Sequence, residues 1–170
     1  MVISVLASAM LATMVGQGHI KPASNVVLVH PSLVLKGSNS SITKREIVLA
    51  TNGKQWAAIW ARHAAQKPDK AKVAPDVNFA KSEVVCIFQG SGWNSNGVIP
   101  TEIADVGDSI RVRFDDDSYQ TAGPDGGGER CTPFGMFVIP KSSKSVTVWE
   151  NTQGLMRGAP IWKLRATLIP

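Results

Sequence analysis

Only one stretch of this chain carries a helical period; its other apolar residues come in short runs rich in β-branched and aromatic side chains. Trp56, Ile59, Trp60 and His63 fall at i, i+3, i+4 and i+7 on one face, leaving Lys54, Arg62 and Gln66 to point to water. Asn52 is placed to cap this helix, with Gln55 three residues on as in a capping box, and Pro68 is placed to end it. Strand runs precede it at 26–29, 33–35 and 45–50 and follow it at 84–88, 98–106, 109–114, 134–139, 145–149 and 161–168. Turn residues join the later runs, with Asp105-Val106-Gly107-Asp108 suited to a tight hairpin. The expected fold is therefore α+β: one amphipathic helix in the N-terminal half, Trp56 and Trp60 laid on a mostly antiparallel β-sheet.

The chain has 170 residues, 44% of them hydrophobic and 18% charged, which is enough apolar material for one folded domain with a short leader. Residues 1–18 carry no side-chain charge and hold the run Val2 to Val15, followed by small residues. This is the pattern of a signal peptide without its usual basic start, and it is shorter than a comfortable membrane span. The expected division is a signal peptide over 1–18, an extended or β segment over 19–41 and the α+β domain over 42–170. No membrane span is expected after cleavage. The eighteen basic residues exceed the thirteen acidic ones by five, but they are scattered, with Lys44-Arg45 the only adjacent pair. A nucleic-acid binder gathers such residues with aromatics between them, so no nucleic-acid partner is expected.

Two cysteines remain, Cys86 in a strand run and Cys131 just before another. In an exported chain they can pair, a link worth about 3 to 5 kcal/mol in the chain-entropy account. The alternative is that Cys86 is a small buried hydrophobe. Asp115, Asp117, Asp125 and Glu129, around a glycine-rich stretch, offer the hard oxygens that Ca²⁺ takes, but at a spacing unlike an EF-hand; a solvated charged turn is the competing reading. His63 reads as a packed, hydrogen-bonded histidine because no partner for a general base is evident, and His19 and His30 have no triad-like context. The loop Gly90 to Gly97 precedes a strand, so no helix start is available for a phosphate. Its Trp93, Asn94 and Asn96 have the composition of a protein-binding loop. Asn39-Ser40-Ser41 also fits the N-glycan acceptor pattern.

Four segments, Gln55 to His63, Pro75 to Lys81, Glu83 to Gly90 and Thr132 to Ser142, come in an order and spacing that resemble the PrcB C-terminal-domain family over roughly Ile42 to Val148. The family shows W-x-x-x-W/L-x-x-H, a P-x-V-D/N-F-x-K segment and a closing S/T-P-Y-x-x-V-x-V/I-P-K strand. This chain departs from it at Val98 and Phe134, where the family tends to tyrosine. The resemblance implies a small exported or lipid-anchored bacterial protein with no established catalytic residues, of a kind named for a protease-complex subunit. Together these features lead to an expected non-enzymatic accessory or interaction domain. It would act in the periplasm, at the surface or outside the cell, without a cofactor, and bind an exported or envelope protein such as a protease. The alternative is a small-ligand or Ca²⁺-binding domain built on Asp115 to Glu129.

Overall fold

The computed structural model describes residues 26–68, 72–121, 126–154 and 158–170. In chain order the elements are β1 (Val27–Leu28), β2 (Leu33–Gly37), β3 (Glu46–Ala50), α1 (Gly53–His63), β4 (Ser82–Phe88), β5 (Gly92–Trp93), β6 (Ser95–Asp105), β7 (Ser109–Ser118), β8 (Arg130–Cys131), β9 (Phe134–Pro140), β10 (Ser145–Asn151) and β11 (Trp162–Leu168). The α+β class holds, with a single short helix against many strands. The strands form two sheets rather than the one expected: a five-stranded sheet ordered β1-β6-β7-β10-β11 and a four-stranded sheet ordered β2-β9-β4-β3. Strands β5 and β8 make a small separate ribbon. Pairing is antiparallel except between β7 and β10, which run parallel.

Burial explains the layering. In β4, Val85 and Ile87 join Phe137 and Ile139 of β9 against Ile103, Val112, Phe114 and Val148 of the larger sheet. The alternate residues Val84, Cys86, Phe88, Met136 and Val138 face Trp56 and Ile59 of the helix. Strands β4 and β9 are thus covered on both faces, which is why they read as unbroken apolar runs. By contrast β10 alternates buried and half-buried residues, and β7 does so up to Phe114, as befits strands with one open face.

The helix begins as expected, with Gln55 N–H donating to Asn52 Oδ1 at 3.0 Å. The return bond of the box is displaced by one residue: the Gln55 side-chain oxygen accepts from Thr51 N–H at 2.8 Å. It ends at His63, before Pro68, because the chain after β2 crosses its end and Ser41 N–H donates to the His63 carbonyl at 2.9 Å. The described part of the expected extended or β segment over 19–41 contributes a strand to each sheet: β1 pairs with β6, and β2 pairs with β9 from Leu33↔Val138 to Gly37↔Phe134. The expected signal segment 1–18 lies outside the described residues. No helix among the described residues is long and apolar enough to cross a bilayer.

One core residue is out of keeping with its setting. Glu83 is fully buried, and neither carboxylate oxygen has a hydrogen-bond partner. Burial raises its carboxyl above the ordinary range, against the opposing charge of Lys141. A raised folded-state value costs stability as pH climbs above the unfolded-state value. Glu83→Met is therefore expected to stabilise the protein by about 1 to 2 kcal/mol at pH 7. The gain should shrink below pH 4, and urea unfolding of both proteins at the two pH values measures it.

Candidate functional site

A cleft is formed where four non-contiguous pieces of chain meet: Asn39 to Ser41 with Thr43 after β2, Gln66 and Lys67 beyond the helix, Ser91-Gly92, and Arg130 to Thr132 around β8. Its volume is about 440 Å³. Thr132 ties two of these pieces together, accepting from Ser40 N–H at 2.8 Å and donating to the Ser40 carbonyl at 2.6 Å. A second clamp comes from Gln66 N–H, which donates to Ser41 Oγ at 3.0 Å.

Behind the cleft runs a chain of three side chains. His63 Nδ1 lies 3.0 Å from Ser40 Oγ, and His63 Nε2 lies 3.1 Å from Lys67 Nζ. The imidazole is fully buried, with ring centroids 4.3 Å from Phe134 and 5.1 Å from Trp60. Burial, aided by the charge on Lys67, lowers its pKa to about 4, so it is neutral at pH 7. Burial also lowers the Lys67 pKa. With Lys67 charged, its ammonium donates to Nε2, which leaves the imidazole proton on Nδ1 and directs it to Ser40 Oγ. That oxygen also accepts from Ile42 N–H at 3.1 Å. In that tautomer both of its lone pairs are occupied, and Ser40 accepts from His63.

Trp93, 55% exposed, follows the cleft-lining Gly92. The Arg130 guanidinium lies over its ring, 4.6 Å from the centroid, and β5 and β8 pair these two residues directly. Close backbone approach fixes the indole from another side: a Cβ on Gly128 would come within 3.1 Å of it. Thus the tryptophan singled out in the sequence and the cleft share Arg130 as a common wall.

Other expected site residues fare differently. Asn94 is occupied internally: its side-chain oxygen accepts from Glu129 N–H at 2.7 Å, its N–H donates to the Glu129 carbonyl and its carbonyl accepts from Tyr119 N–H. Its φ of 52° is a left-handed turn that asparagine tolerates, so it is a loop anchor and not a free contact. Asn96 is exposed beside the register shift between Ser95 and Val98. The acidic residues do not converge. Asp115 accepts from Asn151 at 2.9 Å, Asp117 pairs with Lys36 at 2.6 Å, and Glu129 accepts from the Tyr119 hydroxyl at 2.8 Å. Asp125 lies outside the described residues, among which no group of three or more metal-ligating side chains is gathered. Both cysteines are free thiols. Cys86 faces the helix from the middle of β4, paired with Val48 and Met136, and is the buried hydrophobe; Cys131 is buried in the ribbon at the cleft wall, so the expected bridge is not formed.

Sequence reasoning missed Ser40, Lys67 and Arg130 as parts of one site. Ser40 carried a signal only as part of a glycan pattern, while Lys67 and Arg130 looked like scattered surface charges. No protein-family model, curated protein or solved structure matches this chain.

Proposed function

We propose that this chain is an exported, non-catalytic accessory domain that binds another exported or envelope protein through the Trp93–Arg130 rim of the cleft. The supporting observation is that a tryptophan more than half exposed is packed against a guanidinium and a glycine beside a polar cleft. A preorganised aromatic at a concave site is the usual form of an interface anchor, since little side-chain freedom is lost on binding. The non-enzymatic part is supported by Ser40, which lies within hydrogen-bond reach of His63 but, with Lys67 charged, accepts from the imidazole instead of donating to it. The resemblance to PrcB C-terminal domains supports export and an envelope partner such as a protease.

The test is a crosslinked pull-down of the tagged mature chain from envelope and secreted fractions of its own host, followed by reconstitution with the purified partner. Trp93→Ala is expected to weaken that complex by about tenfold or more while leaving the fold intact. A complex of unchanged affinity would remove the rim from the interface, and no stoichiometric partner in either fraction would overturn the accessory reading.

A further inference from the structure

Among the described residues that line the cleft, Lys67 and Arg130 are cationic and none is an aspartate or glutamate. Elsewhere each described arginine meets a carboxylate: Arg45 and Arg165 meet Glu150, Arg62 meets Glu46, and Arg111 and Arg113 share Glu102. Arg130 alone among the described arginines has no described carboxylate within ion-pair distance and instead holds its guanidinium over the Trp93 ring. Stacking uses the face of a guanidinium and leaves its edge, where all its N–H groups lie, free for a planar anion. Lys67 is in a comparable state. Its ammonium has three protons, its hydrogen-bond partner in the protein is His63 Nε2, and its remaining attraction is to the Phe134 ring, 5.1 Å away. Hydroxyls of Ser40, Thr43 and Ser91 add neutral donors around the same volume.

We infer that the cleft recognises an acidic peptide segment of the partner, with carboxylates meeting the Arg130 edge and the Lys67 ammonium while the apolar stem of the segment lies against Trp93. This rests on the rim being the binding face and specifies the chemistry that it selects. Charge complementarity decides the sign of the ligand. Two cations in a cleft of about 440 Å³ fit a few carboxylate side chains, not a polyphosphate backbone, which draws on a longer basic track. An exposed indole contiguous with the cations gives a peptide something to bury that an inorganic anion lacks.

A fluorescein-labelled hexaglutamate peptide, with hexaglutamine as control, tests this by anisotropy on the whole mature chain. Hexaglutamate is expected to bind about tenfold or more tightly than hexaglutamine, and to weaken as salt is raised from 50 to 300 mM, since rim charges are screened. Arg130→Met and Lys67→Met should each lower affinity by about fivefold. Arg130→Lys should restore it in part, because it keeps the charge and loses the fork. Equal binding of the two peptides, or none, overturns the inference on the wild-type protein alone, whatever the folding of the variants. Competition with inorganic phosphate or glutarate separates the sources. Displacement only at large excess supports a peptide site, whereas displacement by either at concentrations equal to the peptide's overturns the peptide assignment in favour of a free-anion site. A Trp93-dependent complex with no preference for hexaglutamate would sink this inference and leave the accessory reading standing; hexaglutamate binding without any envelope partner would do the reverse.

Discussion

Gly97→Ala is expected to be the most damaging single-methyl change in the molecule, lowering stability by about 3 kcal/mol or more. Gly97 has φ +119°, a conformation that L side chains rarely adopt, and a Cβ there would lie 2.6 Å from Gly37 N, 2.9 Å from Gly37 O and 3.0 Å from Phe134 O. All three atoms are backbone, in β2 and β9, so no side chain can rotate aside. Gly135 shows the same closeness, its Cβ position falling 2.7 Å from the Val98 carbonyl. Here β6 of the larger sheet presses onto β2 and β9 of the smaller one, and from this corner the chain departs toward Ser40 on one strand and arrives from Trp93 on another. Urea unfolding of Gly97→Ala against Gly154→Ala, where a Cβ meets nothing within 4 Å, isolates the effect of the close approach. The second variant should change the midpoint little. If the two behaved alike, the corner would not be what joins the sheets.

The parts of the fold that were legible are those whose information is local. The helix announced itself because four large residues share a face over two turns, and each long strand run found its strand. The division into two sheets was not legible, because whether β7 pairs with β10 in parallel depends on segments far apart in sequence. Even so, the unbroken apolar character of 84–88 and 134–139 carried that signal: a strand with no polar alternation needs a cover on each face. The consecutive Asp115, Asp116 and Asp117 looked like a ligand cluster in one dimension, yet each meets a separate partner, Asn151, Ser95 and Lys36. Asn94 misled for a related reason. Glycine-rich loops and paratopes share a composition, and the left-handed turn that suits asparagine also lets its amide hold Glu129 in place.

The cleft was hidden by distance along the chain. Ser40 and His63 are 23 positions apart, and Ser40 and Thr132 are 92 apart, so no window could contain the site. What the sequence did offer was the histidine itself, placed among tryptophans on the buried face of the helix. Its two polar partners, Ser40 from the segment after β2 and Lys67 beyond the helix, both line the cleft.

Acidification is expected to weaken the protein through His63. Its pKa falls from 6.5 to about 4 on folding, so between these values the unfolded chain binds a proton that the folded one refuses. Stability is therefore fully present above pH 6.5 and drains away as pH falls toward 4, to a limit of about 3 kcal/mol and by about 2 kcal/mol between pH 7 and 5. The geometry supplies the cause: an imidazolium would set a second positive charge 3.1 Å from the Lys67 ammonium, inside a shell of Trp60, Phe88 and Phe134. His63→Asn, whose amide can still reach Ser40, should be less stable at pH 7 by about 2 kcal/mol or more, from the lost ring packing. It should also have a much flatter profile between pH 7 and 5. Equal slopes for the two proteins would show that the histidine is not the group that acid attacks. Imidazole ¹⁵N shifts at pH 7 provide the companion measurement: with Lys67 charged, the proton must reside on Nδ1, and a proton on Nε2 instead would mean that Lys67 is neutral and that Ser40 donates toward the ring.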